Sequence, residues 1–154
     1  TQLGVASLHA PMPNSYESTP EIDMNSLYKA LFNVDYQFES PFPKEEIVGG
    51  NLAIIYSLLG TNSDLDTNGK VLLIEDIGEF AYNIDRMLHA LKKAGKFDDL
   101  KGLLVGQFTD TKDDGFGYSV REIIDNCTNE FSFPIYFDVP IGHVNDNRAI
   151  VLGA

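Results

Sequence analysis

Apolar residues fall along this chain in two rhythms. Val71-Leu72-Leu73-Ile74 and Leu103-Leu104-Val105 are short unbroken apolar runs, the pattern of strands buried on both faces; the first reads as a strand through Glu75. Between them Ile84, Met87, Leu88 and Leu91 recur at helical spacing, which predicts a helix from about Tyr82 to Ala94 with Gly95 as its C-terminal cap. Val120, Ile123, Ile124 and Cys127 repeat the helical spacing and predict a second helix from Ser119 to about Asn129. Gly49-Gly50-Asn51 reads as the opening of a further helix through Leu59, stopped by Gly60. Pro134–Val139 and Ala149–Leu152 read as the last two strands. Strand and helix in alternation imply an α/β fold, a largely parallel sheet with helical crossovers.

The first forty residues are less regular. Residues 3–9 alternate weakly and read as a strand ending in the turn-prone His9-Ala10-Pro11-Met12-Pro13-Asn14. A helix is expected over 21–32, where Ser18 and Glu21 have capping-box spacing ahead of Leu27, Leu31 and Phe32. Val34, Tyr36 and Phe38 alternate as in a half-exposed strand, and Ser40-Pro41-Phe42-Pro43 breaks the chain. A domain boundary is therefore expected near Pro43. Residues 1–43 would be the tail of an upstream domain with a linker, and residues 44–154 the main domain. The chain begins at Thr1 in an apolar stretch without an initiator Met, so it reads as an excised piece of a longer protein.

Charge narrows the function classes. Eleven basic residues against 23 acidic ones give a formal net charge of -12, which repels polyanions. The basic knot Lys92, Lys93 and Lys96 has the spacing of a solvated helix end. Neither nucleic acid nor an anionic membrane is an expected partner. No apolar run approaches the ~20 residues of a membrane span, and no charged-then-apolar leader is present. Cys127, the single cysteine, reads as a small buried hydrophobe in its helical stripe.

Two loops carry the candidate chemistry. Glu75 ends an apolar strand and is followed by Asp76 and Glu79. Asp76 and Glu79 read as caps for the helix that follows. Glu75 takes its direction from the sheet and is open to a structural or a functional role. His143 follows Gly142 and precedes Asn145-Asp146-Asn147, a loop setting in which an isolated histidine is a solvated bystander unless a partner reaches it. His9 has a similar setting, and His89 lies on the polar side of a helix. No H-x-x-x-H or C-x-x-C spacing offers a local metal-ligand pair. Ser119 follows Gly117-Tyr118, but Arg121 replaces the second glycine of a nucleophile turn. Ser119 and Glu122 instead form a capping box, with Tyr118 and Ile123 spaced as a hydrophobic staple. Gly49-Gly50-Asn51 lacks the spacing of either phosphate-loop fingerprint.

Taken in order, Gly49-Gly50-Asn51-Leu52, Ser57-Leu58-Leu59-Gly60-Thr61, Leu73 through Glu79, Ile84-Asp85-Arg86-Met87-Leu88, Gly106-Gln107-Phe108-Thr109-Asp110 and Pro140-Ile141-Gly142-His143 through Arg148 resemble the LD-carboxypeptidases. These serine peptidases remove the terminal D-alanine from murein tetrapeptides and are grouped with the microcin C immunity peptidases. Leu8-His9-Ala10-Pro11-Met12 resembles the segment that closes the family's first domain. The resemblance implies a C-terminal swivelling β/β/α domain of a two-domain enzyme, with a Ser-Glu-His triad split between the domains. Glu75 and His143 match the glutamate and histidine. The Gly-Tyr/Phe-Ser-Asp turn of the nucleophile is absent, so the fragment alone is expected to be inactive. The resemblance further implies a murein peptide substrate, the missing N-terminal domain as partner, a homodimer, a cytoplasmic setting in cell-wall recycling, and neither metal nor organic cofactor. Two alternatives stay open: a peptidase acting on peptide-nucleotide antibiotics, and a non-enzymatic α/β domain whose acidic loop binds a cation. If the triad reading holds, Glu75 and His143 lie at one sheet edge within hydrogen-bond reach, apolar surface is exposed near His143, and Ser119 is remote.

Overall fold

The computed structural model describes residues 5–32, 34, 38–112 and 115–153. A short strand, β1 (Ser7–His9), leads through a turn into α1 (Glu21–Phe32). Three strand–helix units follow: β2 (Ile47–Asn51) with α2 (Leu52–Leu58), β3 (Val71–Ile77) with α3 (Ala81–Lys93), and β4 (Gly102–Thr109) with α4 (Val120–Thr128). The chain closes with β5 (Ile135–Tyr136) and β6 (Ile150–Leu152). The strands β2-β3-β4-β5 form one parallel sheet in that order. β1 and β6 pair antiparallel as a separate ribbon, outside the parallel set.

Both faces of the sheet are covered, which is why its central strands read as unbroken apolar runs. Leu72, Ile74, Leu103 and Val105 pack against Ile84, Leu88 and Leu91 of α3 and Ile123 and Ile124 of α4. Val71, Leu73 and Leu104 face the other way, onto Val139, Ile141, Ile150 and Leu152. Leu72 and Leu73 are both fully buried, and each such side chain stabilises the fold by about 1.5–3 kcal/mol. Alternation along β3 then decides the direction of the residues at its end. Glu75 follows Val71 and Leu73 toward the Ile141 face, and Asp76 follows Leu72 and Ile74 toward the helices.

Several expectations need correction. Gly49 and Gly50 belong to a strand, and the helix opens only after Asn51, whose side chain caps it by accepting from Ile54 N at 3.1 Å. Glycine weakens strand propensity, but here φ is +129° at Gly49 and +130° at Gly50, and a Cβ on Gly49 would overlap the Leu73 carbonyl oxygen. The capping box at Ser18 and Glu21 does not form. The Ser18 hydroxyl turns back to the Ser15 carbonyl at 3.0 Å, and the Pro20 carbonyl accepts from the N–H groups of Asp23 and Met24. Of the strand expected over Val34, Tyr36 and Phe38, Tyr36 lies outside the described residues; Val34 and Phe38 are not in a strand. Of the basic knot, Lys92 and Lys93 end α3 and Lys93 is exposed, but Lys92 reaches the Cys127 carbonyl at 2.9 Å and Lys96 meets Asp64 at 2.9 Å.

The N-terminal segment is fastened to the end of the chain. Ala149 N donates to Ser26 Oγ at 2.9 Å and Asn147 N donates to Asp23 Oδ2 at 3.0 Å, while β1 holds β6. Among the described residues no helix is long and apolar enough to cross a membrane.

Candidate active site

The site forms where β3 ends beside the loop from Pro140 to Arg148. Glu75 is 1 % exposed, and its Oε2 lies 3.4 Å from His143 Nδ1, an ion-pair contact longer than a closed hydrogen bond. The two side chains thus share one edge of the sheet, as the motif positions implied. Oε2 has no hydrogen-bond partner among the described residues, so His143 is its available counter-group. Burial pushes the Glu75 carboxyl above the usual carboxylate range; the His143 imidazole pulls against that rise, and the Asp76 carboxylate adds to it. The His143 side chain is 42 % exposed, leaving its other face open to a reacting group.

Neighbouring backbone holds the histidine loop in place. Gln107 N donates to the Ile141 carbonyl at 2.8 Å and Gln107 Nε2 to the Val139 carbonyl at 3.2 Å. Gly142 N donates to Asn147 Oδ1 at 3.2 Å, and a Cβ on Gly142 would come within 3.1 Å of the Gln107 carbonyl oxygen. Glycine therefore lets the loop approach β4 closely enough to bring His143 over Glu75. Gly106 provides the complementary space, since a Cβ there would lie 2.7 Å from the Ile141 carbonyl oxygen and 3.0 Å from Glu75 Cβ.

Asp76 and Glu79 do not cap α3. The N-cap of that helix is Phe80, which supplies no side-chain cap. Asp76 is 3 % exposed and accepts from Asn51 Nδ2 at 2.8 Å, Ala53 N at 2.9 Å and Ile77 N at 2.9 Å. It therefore caps α2, on the neighbouring strand–helix unit. Glu79 accepts from the Asn83 side chain at 2.9 Å. With both Asp76 oxygens engaged and Glu75 turned to His143, the acidic loop does not present an open cation cradle. Among the described residues no three His, Cys, Asp or Glu side chains form a potential metal site.

Ser119 is the N-cap of α4, with its hydroxyl accepting from Glu122 N at 3.3 Å and its own N–H donating to Glu122 Oε2 at 2.8 Å. It lines a different cavity from His143. Cys127 is fully buried, and burial pushes its thiol up to about 11. His89 pairs loosely with Asp85 at 3.7 Å.

His143 lines a cavity of ≈ 550 Å³ between its loop and the turn after β1. His9 lines it too, as does exposed Met12, so apolar surface does lie open beside His143. Local spacing gives His9 only a place where a strand runs into a turn. The signal that could have found it is its position at the end of a strand, the placement that drew attention to Glu75.

A family model described as LD-carboxypeptidase C-terminal domain matches residues 45–154. The chain belongs to the LD-carboxypeptidase family. It is 39% identical over 170 residues to the probable murein peptide carboxypeptidase of Bacillus subtilis, covering 98% of this chain and 52% of that protein. It is 26% identical over 157 residues to the murein tetrapeptide carboxypeptidase of Pseudomonas aeruginosa, covering 97% of this chain and 50% of that protein. The chain thus spans about half the length of these relatives. Among solved structures, the muramoyltetrapeptide carboxypeptidase from Oxalobacter formigenes superposes with a TM-score of 0.82 at 23% identity, covering 99% of this chain and 57% of the other. The microcin C7 self immunity protein MccF, in complex with glutamyl sulfamoyl guanosine, gives 0.83 at 17% identity, covering 97% and 57%. At those identities the two structures establish the LD-carboxypeptidase fold and nothing finer.

Proposed function

We propose that the parent of this chain is a serine-type LD-carboxypeptidase that removes the terminal D-alanine from murein tetrapeptides, and that this chain is its acid–base half. The observation that carries the reading is the buried Glu75 carboxylate 3.4 Å from the half-exposed His143 imidazole. With Nδ1 held toward Glu75, His143 Nε2 takes the proton of a serine hydroxyl as the serine attacks the scissile carbonyl, then returns it to the departing amine. The imidazolium formed in between gives Glu75 the positive partner that its burial otherwise withholds, so the pair is stabilised more in the transition state than at rest.

The serine and the oxyanion donors come from the rest of the parent; residues 1–43 are then the tail of that upstream domain and the linker to the domain that begins at residue 44. Without those groups the 154-residue chain has negligible activity. The 39% identity to a murein peptide carboxypeptidase favours a murein substrate, whereas the likeness to MccF is one of fold. The same reading takes the parent as a cytoplasmic homodimer that works in cell-wall recycling.

The test is release of D-alanine from a murein tetrapeptide by the full-length parent. His143→Ala should lower turnover to a small remnant, because among the described residues His143 is the imidazole held against the Glu75 carboxylate. Glu75→Gln should keep the shape and lose about 10⁴-fold, the loss that a triad-acid substitution brings in serine proteases. Full turnover by His143→Ala would overturn the mechanism.

A further inference from the structure

The cavity beside His143 contains a second imidazole that the triad does not use. His9 ends β1, its backbone paired with Ile150 of β6, and its ring packs over β2, with Nδ1 3.7 Å from where a Gly50 Cβ would lie. The residues lining the cavity include no Lys or Arg; His9 and His143 are its only basic side chains. Asn14, Ser15, Asn145 and Asn147 supply neutral polar groups.

We propose that His9 is a ligand-binding residue of this cavity, and that its imidazole receives the carboxylate at the end of the peptide, a role separate from that of the Glu75–His143 pair. The proposal rests on the carboxypeptidase reading, because such an enzyme must hold a terminal carboxylate near its histidine. On a chain of net charge -12, positive charge produced locally favours an entering anion. The titratable groups around His9 are His143 from the loop before β6, Asp23 from α1 and, behind His143, Glu75 from β3. Asp23 is the single acid in the cavity lining; it is 1 % exposed, its Oδ2 accepts from Asn147 N, and its Oδ1 is buried with no hydrogen-bond partner among the described residues. Burial, and after it the His143 imidazole, hold His9 below the ordinary imidazole range. An empty site therefore keeps His9 neutral, and an entering carboxylate draws a solvent proton onto it and forms a charge-assisted hydrogen bond.

The test uses the chain itself, with the histidine ring signals followed by NMR and His9 assigned through His9→Gln. The probes are D-lactate, which has the carboxylate of D-alanine without its amine, and D-lactamide, the uncharged counterpart. D-lactate should move the His9 signal saturably and shift its titration to higher pH, while D-lactamide leaves it in place. His143→Gln should keep that response. His9→Gln should bind D-lactate at least ~10-fold more weakly, read at His143, for the loss of one charge-assisted hydrogen bond. An unmoved His9 signal, an equal response to D-lactamide, or undiminished binding in His9→Gln would overturn the proposal. None of these readouts needs turnover, so the serine-triad reading stands or falls separately.

Discussion

Gly49→Ala should cost this chain a large part of its stability, and Gly50→Ala much less, although the two glycines are adjacent with nearly equal φ values of +129° and +130°. That backbone conformation costs a non-glycine residue about 1–3 kcal/mol at either position. The difference lies in what the new methyl meets. On Gly49 it would overlap the Leu73 carbonyl oxygen and come within 2.9 Å of the Leu73 carbonyl carbon and amide nitrogen. These are backbone atoms at the centre of the sheet, where Gly49 is registered against Leu73, so no side-chain rotation relieves the clash. An ordinary carbon–oxygen contact is about 3.3 Å, so β2 and β3 must part by on the order of 1 Å. Two ladder hydrogen bonds are then weakened at about 1 kcal/mol each. The sum is about 3–5 kcal/mol, against a typical domain stability of about 5–15 kcal/mol. On Gly50 the nearest atom is His9 Nδ1 at 3.7 Å, an ordinary contact, and only the φ cost applies. Urea denaturation of both variants, followed by far-ultraviolet circular dichroism, measures the contrast. A Gly49→Ala loss no greater than that of Gly50→Ala would refute the steric argument.

Gly106→Ala places a methyl between the Ile141 carbonyl and Glu75 Cβ, and should lower kcat of the full-length parent by about 10–100-fold through misplacement of the Glu75–His143 pair; steady-state kinetics at unchanged secondary structure checks it. Asp76→Asn puts a second amide donor against Asn51 and Ala53 N and should destabilise the chain by about 1–3 kcal/mol, measured by urea denaturation. Because burial raises the Glu75 carboxyl, the folded state holds that proton more tightly than the unfolded chain. The stability contributed by Glu75 is therefore full below the ordinary carboxylate range and is lost as pH rises through the raised value. The stability of Glu75→Gln relative to wild type should accordingly increase from acid to neutral pH in paired denaturation curves, and an opposite slope would contradict the burial argument.

The sequence exposes what depends on one element and hides what depends on two. The buried runs of β3 and β4, the α3 stripe and the Ser119–Glu122 box each follow from local spacing, because apolar periodicity and capping act within about a dozen residues. β2 escaped because its two glycines are poor strand formers in isolation; they are required only once Leu73 of the neighbouring strand lies against them. Local order makes Asp76 a cap for α3, the next helix in sequence, whereas the alternation of β3 turns it to α2, the next helix in space. Nothing local marks His9, because the cavity it lines closes only when β1 pairs with β6, near the other end of the chain.

The same contrast separates the two acidic neighbours at the end of β3. Glu75 and Asp76 are adjacent, both acidic and both nearly inaccessible, yet one residue of strand alternation sends them to opposite faces of the sheet. Asp76 finds three N–H donors there, which meet its charge and fix the start of α2. Glu75 finds an imidazole at 3.4 Å and the Asn51 amide nearby, and its Oε2 is left without a hydrogen-bond partner among the described residues. A carboxylate that was only structural would be selected for the first environment, since an under-satisfied buried charge lowers stability. The second environment is useful where a positive charge must appear transiently beside the carboxylate, as it does when a histidine takes a proton from a nucleophile. In this chain, Glu75 and Asp76 differ most in the partners that each finds after folding.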